Sequence, residues 1–106
     1  MPKTNANAMK TITTFAKWHV KREHLATVLN LLPELIRKSS GEEGNLQYNV
    51  YQSNADENQL ILFEVYKDEA SLENHRNSEH FRQLVIQQIV PLLEHREVTI
   101  ASELQF

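Results

Sequence analysis

Glu64, Tyr66 and His75 are the residues of this chain whose types and spacing suit chemistry. Glu64 lies in the run L-I-L-F-E-V-Y over residues 60–66, whose Ile, Val, Phe and Tyr content predicts a β-strand. Strand alternation puts Ile61, Phe63 and Val65 on one face and Leu62, Glu64 and Tyr66 on the other. A carboxylate between Leu62 and Tyr66 is costly to bury without a partner, water or a task, because its charge must leave water. Lys67-Asp68 then turns the chain into a helix-forming segment with Asp68 placed as its N-cap. His75 ends that short helix and can fold back over the strand, which would set an imidazole beside a carboxylate. Each residue also has a plain structural role open to it. A histidine at a helix end is favoured by the helix dipole, and Glu64 can pair with Lys17 or Arg82.

The elements that must position these groups follow from periodicity. Residues 10–20 alternate, with Ile12, Ala16, Trp18 and Val20 on one face and Thr13, Phe15, Lys17 and His19 on the other. The second face is mixed polar and aromatic, which suits a cavity better than a dry core. Residues 23–40 read as a helix with Leu25, Val28, Leu29, Leu32 and Ile36 on its apolar side. Pro33 must kink or split it, and Gly41 can end it in the left-handed conformation. Residues 45–52 form a second strand with Leu46, Tyr48 and Val50 on one face. It joins the 60–66 strand through the polar loop 53–59 as an antiparallel hairpin. Asn77-Ser78 caps a further helix running to about Val90, with Phe81, Leu84, Val85 and Ile89 buried. Residues 97–104 alternate as a last strand.

The order β-α-β-β-α-α-β predicts a ferredoxin-like α+β domain, a four-stranded antiparallel sheet with helices on one face. Residues 10–106 form the single domain and residues 1–9 a mobile tail. The uncovered face is expected to carry Phe15, Trp18 or its neighbours, Tyr48 or Tyr51, Leu62 and Tyr66. That is too apolar for water, and a second copy of the chain is the simplest cover.

Composition narrows the function. The chain has 106 residues, 41% of them hydrophobic and 24% charged, and a net charge of −3, which argues against a nucleic-acid surface. No run approaches the ~20 apolar residues of a membrane helix, no secretory leader is visible, and a cytoplasmic setting is expected. There is no cysteine, and the only glycines are Gly41 and Gly44, so no thiolate nucleophile, Cys-based metal site or Gly-rich phosphate loop is available. His19, His24, His80 and His95 make no familiar metal spacing. His75 and His80 stand five apart, on different faces of a single helix. The purified protein is expected to be colourless, with no cofactor and no metal.

The segments E-E-G-N-L-Q-Y-N-V-Y and L-I-L-F-E-V-Y-K-D-E-A-S-L-E-N-H-R-N-S-E-H-F resemble the antibiotic biosynthesis monooxygenase family of small dimeric α+β-barrel proteins. The second segment is the more specific. It has Glu on the strand, an aromatic two residues on, a short helix ending in His, then Ser-x-x-Phe. The chain departs from the family where Tyr66 replaces a frequent Trp, and where Val20-Lys21-Arg22-Glu23 replaces a frequent Lys-Pro-Gly. The resemblance implies a homodimer with a pocket between sheet and helices in each subunit. It also implies oxygenation of a small quinol, anthrone or related phenol without metal or flavin. Such a substrate, once deprotonated, can itself reduce dioxygen, so the protein need only bind it, take a proton and stabilise the anion. On this resemblance the catalytic pair is His75, as base or donor, with Glu64 to orient it. The pocket candidates are Tyr66, Lys17, His19, Tyr48, Asn49, Phe15 and Leu62.

Two other functions stay open. One is isomerisation of a phosphorylated autoinducer-2-like molecule, with Lys17, His19 and His75 serving the phosphate. The other is a binding dimer without chemistry. A haem-degrading relative would need Trp at Tyr66 and His near Val85, and this chain has neither.

Overall fold

The computed structural model describes residues 10–106; the expected tail, residues 1–9, lies outside the described residues. Four strands, β1 (Ile12–Val20), β2 (Asn45–Gln52), β3 (Gln59–Tyr66) and β4 (Leu93–Ala101), form one antiparallel sheet in the order β2-β3-β1-β4. Helices α1 (Leu25–Ser40), α2 (Glu69–Arg76) and α3 (Phe81–Ile89) complete the expected β-α-β-β-α-α-β order. Short 3₁₀ turns at Arg22–His24 and Val90–Leu92 lead into α1 and β4. No helix among the described residues is long and apolar enough to cross a membrane.

Sheet parity decides which side chains can meet. On β3, Leu60, Leu62, Glu64 and Tyr66 are buried and the residues between them only partly so. On β1 the buried set is Thr14, Ala16, Trp18 and Val20, while Phe15 and Lys17 are exposed. Pairing of Ala16 with Leu62, Thr14 with Glu64 and Tyr48 with Glu64 places all of these on the helix-covered face. Trp18, Tyr48, Leu62 and Tyr66 therefore belong to the helix side and not, as expected, to the face left for a second copy. Phe15 and Phe63, with ring centroids 5.5 Å apart, mark that other face.

The helices depart from expectation in ways that physics explains. Helix α1 buries Val28, Leu32 and Leu35, with Leu29 exposed, so its apolar stripe is turned from the one counted through Leu29 and Ile36. It runs unbroken through Pro33 because the proline is on the exposed side, where the carbonyl it leaves unpaired can be hydrated. Gly41 ends α1 at φ −81°, not left-handed, and its N–H bonds back to Arg37. Helix α3 winds with the wider π spacing, Val90 N–H reaching Val85 O, which carries the chain into Pro91 without a clash inside a regular helix. β4 starts at Leu93, earlier than expected, and Leu104 lies beyond it. The helices leave β4 bare, so Val98 and Ile100 are exposed although they share the face of Ala16 and Thr14.

Gly44 sets how closely the turn after α1 approaches α2. It is buried, its carbonyl accepts Lys67 N–H at 2.9 Å, and a Cβ there would run into the Oγ and Cβ of Ser71. At Gly41 the nearest atom to an added Cβ is 3.5 Å away, an ordinary contact. Gly44→Ala should therefore lower stability by about 1–3 kcal/mol, as overpacking does, whereas Gly41→Ala should stay within about 0.5 kcal/mol of the parent. Urea unfolding of both variants measures the difference.

Candidate functional site

The site is built where β3 hands over to α2. Asp68 caps α2 as expected, its Oδ1 accepting Ser71 N–H at 2.8 Å. Hydrogen bonds from Ser71 hold its carboxyl below the usual range. With the start so fixed, Ser71, Leu72 and His75 face inward and are buried. The helix stops at Arg76, and Ser78 manages the break. Its Oγ donates to His75 O at 2.7 Å and accepts Phe81 N–H at 3.2 Å, opening α3.

That break brings His80 back towards His75. The Nδ1 of His75 lies 2.7 Å from Glu42 Oε2, and His80 Nε2 lies 2.6 Å from the same oxygen. Two imidazole N–H groups thus share one carboxylate oxygen. On its other side His75 presents Nε2, 3.8 Å from Glu64 Oε1, too long for a hydrogen bond. Glu64 Oε1 instead accepts Tyr66 Oη–H at 2.7 Å. Tyr48, Tyr66 and Phe81 surround the imidazole, with centroid distances of 5.8, 5.3 and 5.1 Å.

Electrostatics follow from burial. Glu64 has its carboxyl pushed up by desolvation, with the Tyr66 hydrogen bond pulling the other way. Burial, then the charge of Glu64, pushes the phenols of Tyr48 and Tyr66 up as well, so both remain protonated.

Beside this cluster lies a cavity of about 250 Å³ whose walls include Thr14, Trp18, Tyr48, Glu64, His75 and Phe81, with Arg76, Arg96 and Val98 at its margin. Thr14 Oγ1 and Trp18 Nε1 are buried there without a hydrogen-bond partner among the described residues. Buried polar atoms are rarely left so, and both belong to residues of the cavity wall. Neither arginine takes part in an ion pair among the described residues.

The sequence-predicted residues divide by sheet face. His75, Glu64 and Tyr48 line the cavity; Tyr66 acts on it through Glu64, and Leu62 is packed in the core. Phe15, Lys17, His19 and Asn49 lie on the opposite face, because strand parity turns them away. His19 faces Asp56 there at 3.5 Å. The carboxylate that orients His75 is Glu42, in a turn where solvated charge is the ordinary expectation, and not Glu64. His80 was set apart by its five-residue spacing. That rule holds only within one helix, and the chain breaks at Asn77-Ser78. The cap signal there was the clue to His80. Nothing local marked Glu42. Glu42, His75 and His80 each offer one donor atom, all within 4.8 Å of one another, so this set has the residue types to hold a metal ion.

Comparison with known proteins identifies the family and the fold. The family model described as antibiotic biosynthesis monooxygenase matches residues 11–86. YcnE of Bacillus subtilis (strain 168), named provisionally as a monooxygenase, is 35% identical over 66 residues, spanning 62% of this chain and 70% of that protein. Rv0793 of Mycobacterium tuberculosis, named in the same way, is 30% identical over 70 residues, 66% of this chain and 68% of its own. Its solved structure superposes with a TM-score of 0.84 over 91% of this chain and 97% of that one, at 26% identity. A conserved protein from Methanosarcina mazei Go1 superposes with a TM-score of 0.83 at 33% identity, over 92% of this chain and 96% of that one. The matched residues hold β1 to β3, all of α2 and His80, and with them His75 and most of the cavity wall but not Arg96 and Val98, and the chain belongs to the antibiotic biosynthesis monooxygenase family.

Proposed function

We propose that this protein is a cofactor-independent monooxygenase of a small quinol, anthrone or related phenol. One observation carries the reading: His75 is held by Glu42 through Nδ1, which leaves Nε2 as the unprotonated nitrogen beside a buried, partly apolar cavity. A phenolic or activated C–H proton passes to Nε2. The substrate anion is then met by the positive margin of Arg76 and Arg96, with the unpartnered Trp18 N–H and Thr14 hydroxyl in the wall within reach of a small side-chain adjustment. The anion reduces dioxygen and the two combine at carbon; one oxygen stays as a carbonyl and the other leaves as water. The substrate is the reductant throughout. A cytoplasmic setting goes with this reading.

The two arginines also favour a second reading, isomerisation of a phosphorylated small molecule, since a phosphate would find its cations at Arg76 and Arg96. Oxygen uptake separates the two, and incorporation of labelled dioxygen into product decides for the first.

Proton transfer to a positioned side chain is worth about 10²–10⁴-fold in rate. His75→Asn, which retains a donor near the Nδ1 position but has no basic nitrogen at Nε2, should lose turnover by that order with quinol and anthrone substrates in an oxygen electrode. Glu64→Gln should cost less, because it keeps an acceptor for Tyr66. Full activity in His75→Asn would put the base elsewhere.

The same reading includes a homodimer. The open sheet face shows Phe15, Tyr51 and Phe63, and β4 adds exposed Val98 and Ile100, apolar area that a second copy would cover. Light scattering at micromolar concentration should give about twice 12.4 kDa, and a soluble, folded monomer would remove the dimer from the proposal.

A further inference from the structure

We propose that Glu42, His75 and His80 form a binding site for a borderline divalent transition metal such as Zn²⁺ or Co²⁺, and that an ion bound there takes His75 out of service as a proton acceptor. The metal site rests on the donor geometry alone; only its effect on turnover rests on the oxygenase reading.

The donors come from three separate segments: Glu42 from the turn after α1, His75 from the end of α2, and His80 from the turn into α3. Two imidazole nitrogens and one carboxylate oxygen are the ligand types of zinc-like sites, whereas Mg²⁺ and Ca²⁺ call for more oxygens than one carboxylate supplies. The two nitrogens already aim at one point, since each lies within 2.7 Å of Glu42 Oε2. Tetrahedral ligands at ~2.1 Å from an ion stand roughly 3.4 Å apart, so each nitrogen–oxygen gap must open by roughly 0.7 Å and the two nitrogens, within 4.8 Å of each other, must settle at the same spacing. Glu42 can open both gaps by turning its side chain about its own rotatable bonds, with its backbone hydrogen bonds to Ser39 and Asn45 kept. The side chains of Glu42 and His80 are 17% and 16% exposed, against 3% for His75, so an ion has a path from solvent and a fourth position open to water.

A second observation concerns the far side of the ring. Histidines that bind metal through one nitrogen usually donate the other N–H to a carboxylate. Here His75 Nε2 faces Glu64 Oε1 at 3.8 Å, and Glu64 is itself held by Tyr66. With an ion on Nδ1 the ring proton resides on Nε2, and Glu64 is the nearest carboxylate to it, a hydrogen bond once the 3.8 Å gap closes by roughly 1 Å. The tautomer that serves the metal is therefore the one that cannot accept a proton from the cavity. Metal and catalysis compete for one imidazole.

The test is titration of the metal-stripped, untagged protein with Co²⁺, read by visible absorption. One equivalent should develop the bands of a low-coordinate ion. Glu42→Gln and His80→Ala should each weaken binding by more than about tenfold. His95→Ala, which removes the exposed histidine paired with Glu97 at 3.0 Å, should bind as the parent does. No saturable one-to-one signal in the parent, or a signal kept by both site variants, overturns the site. These readings need no turnover, so they stand or fall apart from the oxygenase assignment. For the second half, Zn²⁺ at one equivalent should abolish oxygen uptake and a chelator restore it. His80→Ala, measured against its own metal-free rate, should need more than about tenfold more Zn²⁺. Bound zinc with undiminished turnover overturns the inhibitory role.

Discussion

Glu42 Oε2 accepts from two imidazoles at once, and much of the site depends on that one oxygen. A buried histidine has two nitrogens and must place one proton. With a carboxylate at 2.7 Å from Nδ1 and another no nearer than 3.8 Å to Nε2, the proton belongs on Nδ1. That choice is structural before it is chemical. It ties the α1–β2 turn to the end of α2 and to the start of α3, adding to the Gly44–Lys67 and Ser78–His75 backbone contacts. Gly44 permits it by letting the turn close on Ser71, and Ser78 permits it by ending α2 just after His75.

Much of the fold was legible because periodicity and caps carry it. The alternation of residues 60–66, the Asp68 cap and the Asn77-Ser78 restart all appear where physical reasoning placed them. The membership of faces was less secure. The alternation in β1 correctly grouped Ala16 with Trp18, and Phe15 with Lys17 and His19, but could not say which group met the helices. Apolar content pointed both ways, since Phe15 and Phe63 make an aromatic pair on the side the helices leave open. Only pairing register joins Thr14 to Glu64 and Ala16 to Leu62, and register is a long-range property.

The site was half legible for the same reason. Glu64 stood out because a carboxylate on an otherwise apolar strand face needs an explanation, and His75 because it ends a helix that returns to that face. Glu42 gave no such signal. It sits in a Gly-Glu-Glu-Gly turn, where solvated charge is the ordinary expectation, and its partner is 33 residues away. His80 was hidden by a spacing rule applied across a break. A periodicity argument ends wherever the helix ends.

His75 joins two environments that the fold otherwise separates. Its Nε2 side belongs to the cavity with Trp18, Thr14 and Glu64, and its Nδ1 side belongs to the half-buried group of Glu42 and His80. A neutral imidazole carries one proton, so whatever occupies one nitrogen decides what the other can do. Anything that alters Glu42, whether an ion, a neighbouring charge or a shift of its turn, is felt at Nε2 without any movement of the cavity wall. The barrier between the two sides is a single aromatic ring caged by Tyr48, Tyr66 and Phe81. Packing and the Glu42 hydrogen bond hold the ring with Nδ1 to that carboxylate and Nε2 to the cavity, so the two sides are coupled through the placement of one proton.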